Sequence, residues 1–150
     1  MRSLKQQKGF TIVELLIVIV VIGILATLVI VTFTGIQQKA RNTKRQTDIN
    51  AIQSHVEAYK AQSGNYPTRT EVNDSPAGWR ATNMKGLDPA ALQDPKGSAQ
   101  TLAATSTATS YAYAPVNDAL TSCEADETTC TSYTLTATLE GGGTYVKKSN

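Results

Sequence analysis

The sequence Lys8-Gly9-Phe10-Thr11-Ile12-Val13-Glu14 stands directly before the uncharged run LLIVIVVIGILATLVIV at residues 15–31. Residues 10–33 would form a helix about 36 Å long at 1.5 Å per residue, which is enough to span a bilayer. Glu14 is the one ionisable side chain in this segment, and a carboxylate within hydrocarbon costs about 2.5 to 3.5 kcal/mol. The sequence therefore predicts a membrane helix whose Glu14 requires a partner.

Two simpler interpretations of this region are a secretory signal peptide and a plain membrane anchor. Arg2, Lys5 and Lys8 precede the apolar run as in a signal peptide, but the run is too long and no small-x-small cleavage site follows it. A plain anchor explains the length of the run and leaves Glu14 unexplained. The signal-anchor interpretation stays as an alternative.

The segment Gly9-Phe10-Thr11-Ile12-Val13-Glu14 resembles the processing site of the type IV pilin family, which includes the pseudopilins of type II secretion and the pilins of DNA-uptake machines. The resemblance implies that a prepilin peptidase removes residues 1–9 as a cytoplasmic leader by cutting between Gly9 and Phe10. It also implies N-methylation of the new amine on Phe10. Glu14 and Phe10 are then expected to act in assembly, because the carboxylate of an incoming subunit would pair with the amine of a neighbour.

Residues 34–62 keep a helical spacing without proline, and the helix has two distinct faces. Ile49, Ile52, Val56 and Tyr59 form an apolar stripe that a sheet would cover. The opposite side carries small residues, which allow close approach between helices, so we expect contacts between subunits there; a solvated helix surface is the alternative. The candidate packing positions are Gly23, Ala40, Thr47, Ala51 and Ala58. Gly23 lies in the apolar segment, in which many family members also have a proline further along; this chain has none there.

Lys39, Arg41, Lys44 and Arg45 follow the apolar run and predict a cationic band. This band is expected to meet lipid phosphates before assembly and acidic groups of neighbouring subunits afterwards. DNA binding ranks below both functions, because no aromatic residue lies among these four to stack on bases. His55, the only histidine of the sequence, is interpreted as structural.

The size and charge of the chain limit the part of the protein beyond the helix. The 150 residues leave room for one small head. Removal of Arg2, Lys5 and Lys8 with the leader leaves 11 basic against 12 acidic side chains and a net charge of −1. A generally basic surface that coats nucleic acid is therefore not expected.

The head, residues 63–150, is predicted as a connecting loop followed by an antiparallel sheet on the second half of the helix, which makes an α+β pilin fold. The helix should end near Ser63-Gly64, and Trp79 and Leu87 should attach the loop to the core. A short helix is expected at residues 89–92, within a region whose Asp94-Pro95-Lys96-Gly97 resembles the passage from loop to strand of major pseudopilins. Alternating residues predict strands at 111–115, 133–139 and 144–147, and Gly141-Gly142-Gly143 should connect the last two.

Cys123 and Cys130 are too far apart for a CxxC redox motif and have no second cysteine pair or histidine cluster to complete a zinc site. A local disulfide in an oxidising compartment outside the cytoplasm is favoured, with two buried thiols as the alternative. Some relatives bind calcium in a loop between strands, and Asp118, Glu124, Asp126 and Glu127 are acidic residues in that region. A solvated acidic loop is the preferred interpretation, and neither a metal nor a cofactor is expected.

The sequence contains no recognisable catalytic constellation, so we expect a structural protein and not an enzyme. The first hypothesis is a pilin that is held in the cytoplasmic membrane as a single-pass precursor and then polymerises through its N-terminal helix into an extracellular type IV pilus for motility, adhesion or DNA uptake. Its partners would be other pilin subunits, the prepilin peptidase, an assembly platform and ATPases, with DNA or surface ligands as further candidates. The alternatives are a pseudopilin of a type II secretion system and a membrane-anchored adhesin or DNA-capture module that does not polymerise.

Overall fold

The computed structural model describes residues 9–124 and 129–149, and it confirms an α+β architecture with a long N-terminal helix and a small antiparallel sheet. Helix α1 covers Ile12–Ser63 and runs without interruption through Gly23. The chain divides into two compact units, with the boundary between Gln37 and Gln38. The second unit is the head, which includes the last part of α1.

Helix α1 ends where its sequence predicts. Gly64 has a φ of +85°, and its N–H donates to the carbonyl of Lys60 over 2.9 Å. Glycine adopts this left-handed conformation without the steric cost that a Cβ would bring. Pro67, three residues further along, has no N–H to continue the helical hydrogen bonds.

The connecting segment contains two short helices, α2 at Arg69–Asn73 and α3 at Trp79–Asn83, and a 3₁₀ helix at Pro89–Leu92. The sequence predicts only the last of these, because five residues are too few to show helical periodicity. A local signal was present for α2. The Thr68 hydroxyl accepts from the N–H of Glu71, and the Glu71 carboxylate accepts from the N–H of Thr68 over 2.8 Å, which is a capping box.

The sheet has the order β1-β2-β3 with antiparallel pairing throughout, and its strands are β1 at Ala112–Val116, β2 at Ser132–Thr138 and β3 at Thr144–Lys148. Tyr113 lies opposite Leu135, which lies opposite Lys147 on the third strand. The predicted glycine turn connects β2 to β3, and all three of its glycines have positive φ. The strands therefore follow the predicted order and connection.

The sheet buries one face against the apolar stripe of α1, as predicted. Ile49, Ile52 and Val56 have no exposed surface and belong to one core cluster with Tyr113 and Leu135. The predicted attachment of the connecting segment is also confirmed, because Leu87 is buried in this core and Trp79 packs against it. Tyr59, the last member of the stripe, is half-buried and meets the Trp79 ring edge-on at 4.8 Å between ring centroids.

Three tyrosine hydroxyls join the sheet region to polar positions of α1. Tyr111 donates to Asp48 over 2.8 Å, and Tyr133 donates to Glu57 over 2.6 Å. Tyr145 donates to Asn50 over 3.0 Å. Burial raises the pKa of Tyr111 and of Tyr133, so both stay protonated as donors. These directional bonds fix the position of the sheet along the helix, which apolar contact alone does not define.

Gly97 closes the turn that begins at Asp94. Its N–H donates to the Asp94 carbonyl over 2.8 Å, and its carbonyl accepts from the Gln93 side chain over 2.8 Å. A Cβ at position 97 would overlap the carbonyl oxygen of Thr109. Because that oxygen belongs to the backbone, a side-chain rotation cannot relieve the overlap.

We expect Gly97→Ala to lower the free energy of unfolding by about 1 to 3 kcal/mol, the usual cost of forcing extra volume into a packed site. Denaturant unfolding of the full chain in detergent micelles, followed by near-ultraviolet circular dichroism, measures this change. Ser98→Ala, at the exposed neighbouring position, is the matched control. Equal unfolding midpoints for the two variants would contradict the overlap.

Candidate assembly site

The N-terminal unit exposes a continuous apolar surface. Every large apolar side chain between Phe10 and Ile36 is between 48% and 86% exposed. By length and composition, α1 contains one stretch that is able to cross a membrane, with a mean hydropathy of 3.3 over its most apolar window. Soluble monomers rarely expose an apolar surface of this size, so it requires lipid or other protein surfaces as its environment.

The hydroxyl groups within this apolar surface have hydrogen-bond partners on their own helix. Thr27 donates to the carbonyl of Gly23 over 2.7 Å, and Thr32 donates to that of Leu28 over 2.9 Å. Such bonds remove the cost of placing a hydroxyl in an apolar medium. Gly23 therefore supplies an acceptor here, while its predicted role as a helix-packing position remains a prediction.

Glu14 lies at the start of α1 and contacts Thr11. Its Oε2 accepts from the Thr11 N–H over 2.9 Å and from the Thr11 hydroxyl over 2.7 Å, and the N–H of Glu14 donates back to that hydroxyl over 3.2 Å. The arrangement is a capping box of the Thr-x-x-Glu type, which the sequence pattern did not lead us to predict. All three bonds leave Oε1 without a donor among the residues that the structure describes.

The predicted packing positions of the second half of α1 are placed on accessible parts of the helix. Ala40, Thr47 and Ala58 are exposed, and Ala51 is half-buried. Their small side chains leave the backbone open to close approach by another helix. Contact with another subunit at these positions stays a prediction.

The structure contradicts the predicted cationic band at Arg45. Arg45 is 0% exposed, and its guanidinium binds both carboxylate oxygens of Asp94, at 2.7 Å from Nε and 3.0 Å from Nη2. Its Nη1 also donates to Glu140 over 3.0 Å. Arg45 therefore stabilises the head and has no surface to offer to lipid or DNA. A wheel of α1 alone could not show this, because both acidic partners lie more than 40 residues further along the chain.

Arg41 also turns towards the head. It donates to both carboxylate oxygens of Glu140, at 2.6 Å from Nε and 2.7 Å from Nη2, and Lys96 lies 3.2 Å from the same carboxylate. The hydrogen bonds from Arg41 hold the pKa of the Glu140 carboxyl well below its ordinary value of 4.5. The backbone of Glu140 is bound as well, through reciprocal 2.9 Å hydrogen bonds with the side chain of Asn42. These contacts fasten the β2–β3 turn to α1.

Lys44 pairs with Asp48 one helical turn later, at 2.8 Å, which leaves Lys39 as the exposed cation of the band with no ion pair among the described residues. Three of the four cations thus bind groups of their own chain. The contacts of Lys39, Arg41 and Lys44 with lipid and with neighbouring subunits stay predictions. Sequence analysis did not identify Asp94 and Glu140 as the acidic partners of these cations.

Cys123 and Cys130 are both fully buried. The N–H of Cys123 donates to the Pro115 carbonyl, and the carbonyl of Cys130 accepts from the N–H of Tyr66, each over 2.9 Å. Both cysteines belong to the core cluster that includes Tyr113. The disulfide between them stays a prediction.

The structure describes two of the four acidic residues of the candidate calcium loop, Asp118 and Glu124. Within the described part of the chain, no group of three or more His, Cys, Asp or Glu side chains is placed to hold a metal ion. Asp126 and Glu127 lie outside the described residues. Glu124 contacts Arg69 and Thr70 of α2.

Comparison with known proteins gives a family model and a group of relatives. Residues 4–30 match the model of the prokaryotic N-terminal methylation motif. The chain is 39% identical over 75 residues to the type II secretion system core protein G of Escherichia coli, which covers 50% of this chain and 52% of that protein. It is 41% identical over 64 residues to the protein of the same name from Dickeya chrysanthemi, covering 43% and 42% of the two chains. It is 38% identical over 68 residues to the protein of the same name from Vibrio cholerae, covering 45% of this chain and 47% of that protein.

The chain thus spans about half the length of the curated relatives that it matches. No solved structure matches it. The similarity to each relative extends over more residues than the 27 that match the methylation motif. It is therefore further evidence beside the motif at Gly9 and Phe10.

We expect Glu140→Gln to remove an acid-sensitive part of the stability of the head. A carboxyl whose pKa is depressed in the folded state stabilises it above the ordinary value of 4.5 and loses this effect as the pH falls towards the folded pKa. The unfolding midpoint of the wild type should therefore exceed that of Glu140→Gln at pH 7, and the gap should narrow steadily below pH 4.5. Thermal unfolding of both proteins over this pH range measures the difference between their midpoints.

The control is Asp118→Asn, which removes a carboxylate from an exposed position. Its midpoint should follow that of the wild type at every pH. A gap between the wild type and Glu140→Gln that does not change with pH would contradict an ion-pair role for Glu140.

Proposed function

We propose that this chain, which belongs to the type IV pilin and pseudopilin family, is a pseudopilin of a type II secretion system that polymerises through its N-terminal helix. The observation that carries the proposal is the exposed apolar surface of residues 10–36 with Glu14 at its start, directly after the processing motif. The names of the relatives favour a secretion pseudopilin over the extracellular pilus that the sequence alone favoured. The role is structural and not catalytic.

The apolar helix serves two environments in succession. As a precursor, the protein is anchored in the cytoplasmic membrane, where the bilayer covers the apolar side chains. In the filament, the helices of other subunits replace the lipid. Because lipid tails are as apolar as leucine, the exchange supplies little hydrophobic free energy, and packing or polar contacts have to favour the filament.

Glu14 supplies such a polar contact. Cleavage after Gly9 produces an amine on Phe10, and this amine becomes the nearest strong donor for a carboxylate at the same membrane depth. The Oε2 of Glu14 is engaged by Thr11 of its own chain, which leaves Oε1 to accept from the Phe10 amine of a neighbour. The pair reduces the cost of a charge in an apolar medium and sets the axial step between subunits.

The same proposal assigns the partners and the location of each part. A prepilin peptidase on the cytoplasmic side removes the leader and methylates Phe10, and an assembly platform with ATPases supplies the work of extraction. The head lies outside the cytoplasm, where Cys123 and Cys130 form a disulfide. The filament is a short periplasmic one that moves cargo.

Mass spectrometry of native cells tests processing and location together. The expected main form begins at N-methyl-Phe10, has a mass lower by two hydrogens because of the disulfide, and stays with the cell envelope when surface fibres are sheared off. Recovery of the processed protein as the main component of sheared fibres would indicate a surface pilus instead. An uncut N-terminus would overturn the family assignment of the processing site and favour a signal-anchored surface domain.

Variants at the start of α1 separate assembly from helix capping. Glu14→Ala should leave cleavage and methylation intact and reduce the polymerised fraction at least about tenfold, because the subunit loses its charged partner. Thr11→Ala removes the capping hydroxyl and keeps the carboxylate, so polymerisation should largely persist. Crosslinking in the envelope and gel separation of monomer from polymer measure both variants. Similar loss in the two would mean that Glu14 acts only as a cap, and an unchanged polymer in Glu14→Ala would contradict the role altogether.

A further inference from the structure

The head has a pocket of about 230 Å³ beside α3, far along the chain from the assembly helix. Its walls come from the turn before α3, from α3 itself and from the segment that leads to the 3₁₀ helix. Two cationic side chains are among them. The lining residues are Pro76, Arg80, Ala81, Met84, Lys85, Gly86, Leu87 and Pro89.

Arg80 is unusual among the buried charges of the head. It is only 4% exposed, yet its guanidinium has one hydrogen bond, from Nη1 to the carbonyl of Val72 over 3.2 Å. A guanidinium carries five N–H donors, and those of Nε and Nη2 have no acceptor in the described part of the chain but are not closed off from solvent. No carboxylate oxygen among the described residues lies within ion-pair distance of it.

The contrast with Arg45 is direct, since that guanidinium is also buried but has five hydrogen bonds, including two to Asp94. Burial lowers the pKa of Arg80, and Asp74 attracts the charge only at longer range. A buried cation without a hydrogen-bonded anion costs stability. Such a side chain at the wall of a pocket favours an anion inside it.

The nearby carboxylates are committed to backbone groups and do not line the pocket. Asp74 accepts from the N–H of Trp79 at the start of α3 and from the N–H of Ser75 in the turn before it. Asp88 accepts from the N–H of Ala90 over 2.8 Å and caps the 3₁₀ helix. The charged side chains that line the pocket are therefore Arg80 and Lys85, both positive.

We infer that this pocket binds a small oxyanion, either a phosphate or a short organic carboxylate, between Arg80 and Lys85. The planar guanidinium of Arg80 presents parallel N–H groups that match two oxygens of one phosphate or carboxylate. Lys85 is exposed and bears a flexible ammonium, which adds a second positive charge from the rim. Met84, Leu87 and the two prolines accept the apolar part of an organic acid.

Occupation of the pocket has a structural consequence within the head. The anion would bridge α3 and residues 84–89, two segments that the main sheet does not include. It would supply the missing counter-charge of Arg80 and so stabilise this part of the connecting segment. The site lies outside the N-terminal helix, so its occupancy is separable from polymerisation.

Nuclear magnetic resonance of the full chain in detergent micelles tests the site directly. The probes are sodium phosphate and sodium succinate, each titrated against sodium chloride at constant ionic strength. The Nε–Hε resonance of Arg80, assigned by its loss in Arg80→Met, should shift saturably with at least one of the two, with a dissociation constant in the millimolar range. A response to phosphate alone assigns a phosphate site, and a response to succinate alone assigns a carboxylate site.

Two further variants connect the shift to the proposed contacts. Lys85→Gln should weaken binding about 2- to 5-fold, as expected for one partly solvated charge. Lys148→Gln removes an equally exposed charge from β3, outside the pocket, and should leave the affinity unchanged. Arg80→Met should keep or raise the thermal midpoint without anion and should lose the stabilisation that the anion gives to the wild type.

Three results would overturn the inference. The first is a linear, non-saturable response of the Arg80 resonance to both probes. The second is an equal loss of affinity in Lys85→Gln and Lys148→Gln, which would indicate a general charge effect. The third is anion stabilisation that persists undiminished in folded Arg80→Met, which would place the bound anion elsewhere.

Discussion

The head depends on how a narrow stripe of one helix covers one face of a three-stranded sheet. Ile49, Ile52 and Val56 are completely buried there, and the rest of the core is built around them. Three aliphatic side chains bury limited area, and apolar contact alone does not fix the position of the sheet along the helix. The tyrosine hydroxyls that bind Asp48, Asn50 and Glu57 remove this freedom, because a hydrogen bond requires one distance and one direction.

A second set of contacts holds the loops to the same helix. Arg45 binds Asp94 at the end of the connecting segment, and Arg41 binds Glu140 at the β2–β3 turn. Desolvation of a buried guanidinium offsets much of the attraction, so the net gain in stability from such a pair is small. Its value lies in specificity, since a shifted loop would leave Arg45 buried without a partner. The ion pairs therefore select one loop arrangement among several that the apolar core would allow.

The sequence was sufficient for features that repeat regularly and insufficient for those that depend on distant partners. The stripe on α1 and the alternation in β2 have periods that report which side chains are buried, and the structure confirms both. The end of α1 was likewise predictable from Gly64. The helices α2 and α3 were missed because five residues show no period. The capping box of Thr68 and Glu71 was a local signal for α2, whereas the N-cap residue of α3, Gly78, makes no side-chain cap. The pairing of Arg45 with Asp94 joins residues 49 positions apart, which no local pattern reveals.

Some ionisable groups find all their hydrogen-bond partners within their own chain, and these are structural. Others lack such partners and need a second molecule. Arg45 is buried and has its full set of acceptors, so nothing further is required of it. Among the described residues, Glu14 has donors at Oε2 alone, from Thr11, and its helix presents an apolar surface that must leave water. In our proposal, the donor for its remaining oxygen comes from the helix of a neighbouring subunit. In the filament that we propose, a second subunit with a free amine at Phe10 would meet both requirements. The step that covers the apolar surface would then also pair the charge of Glu14.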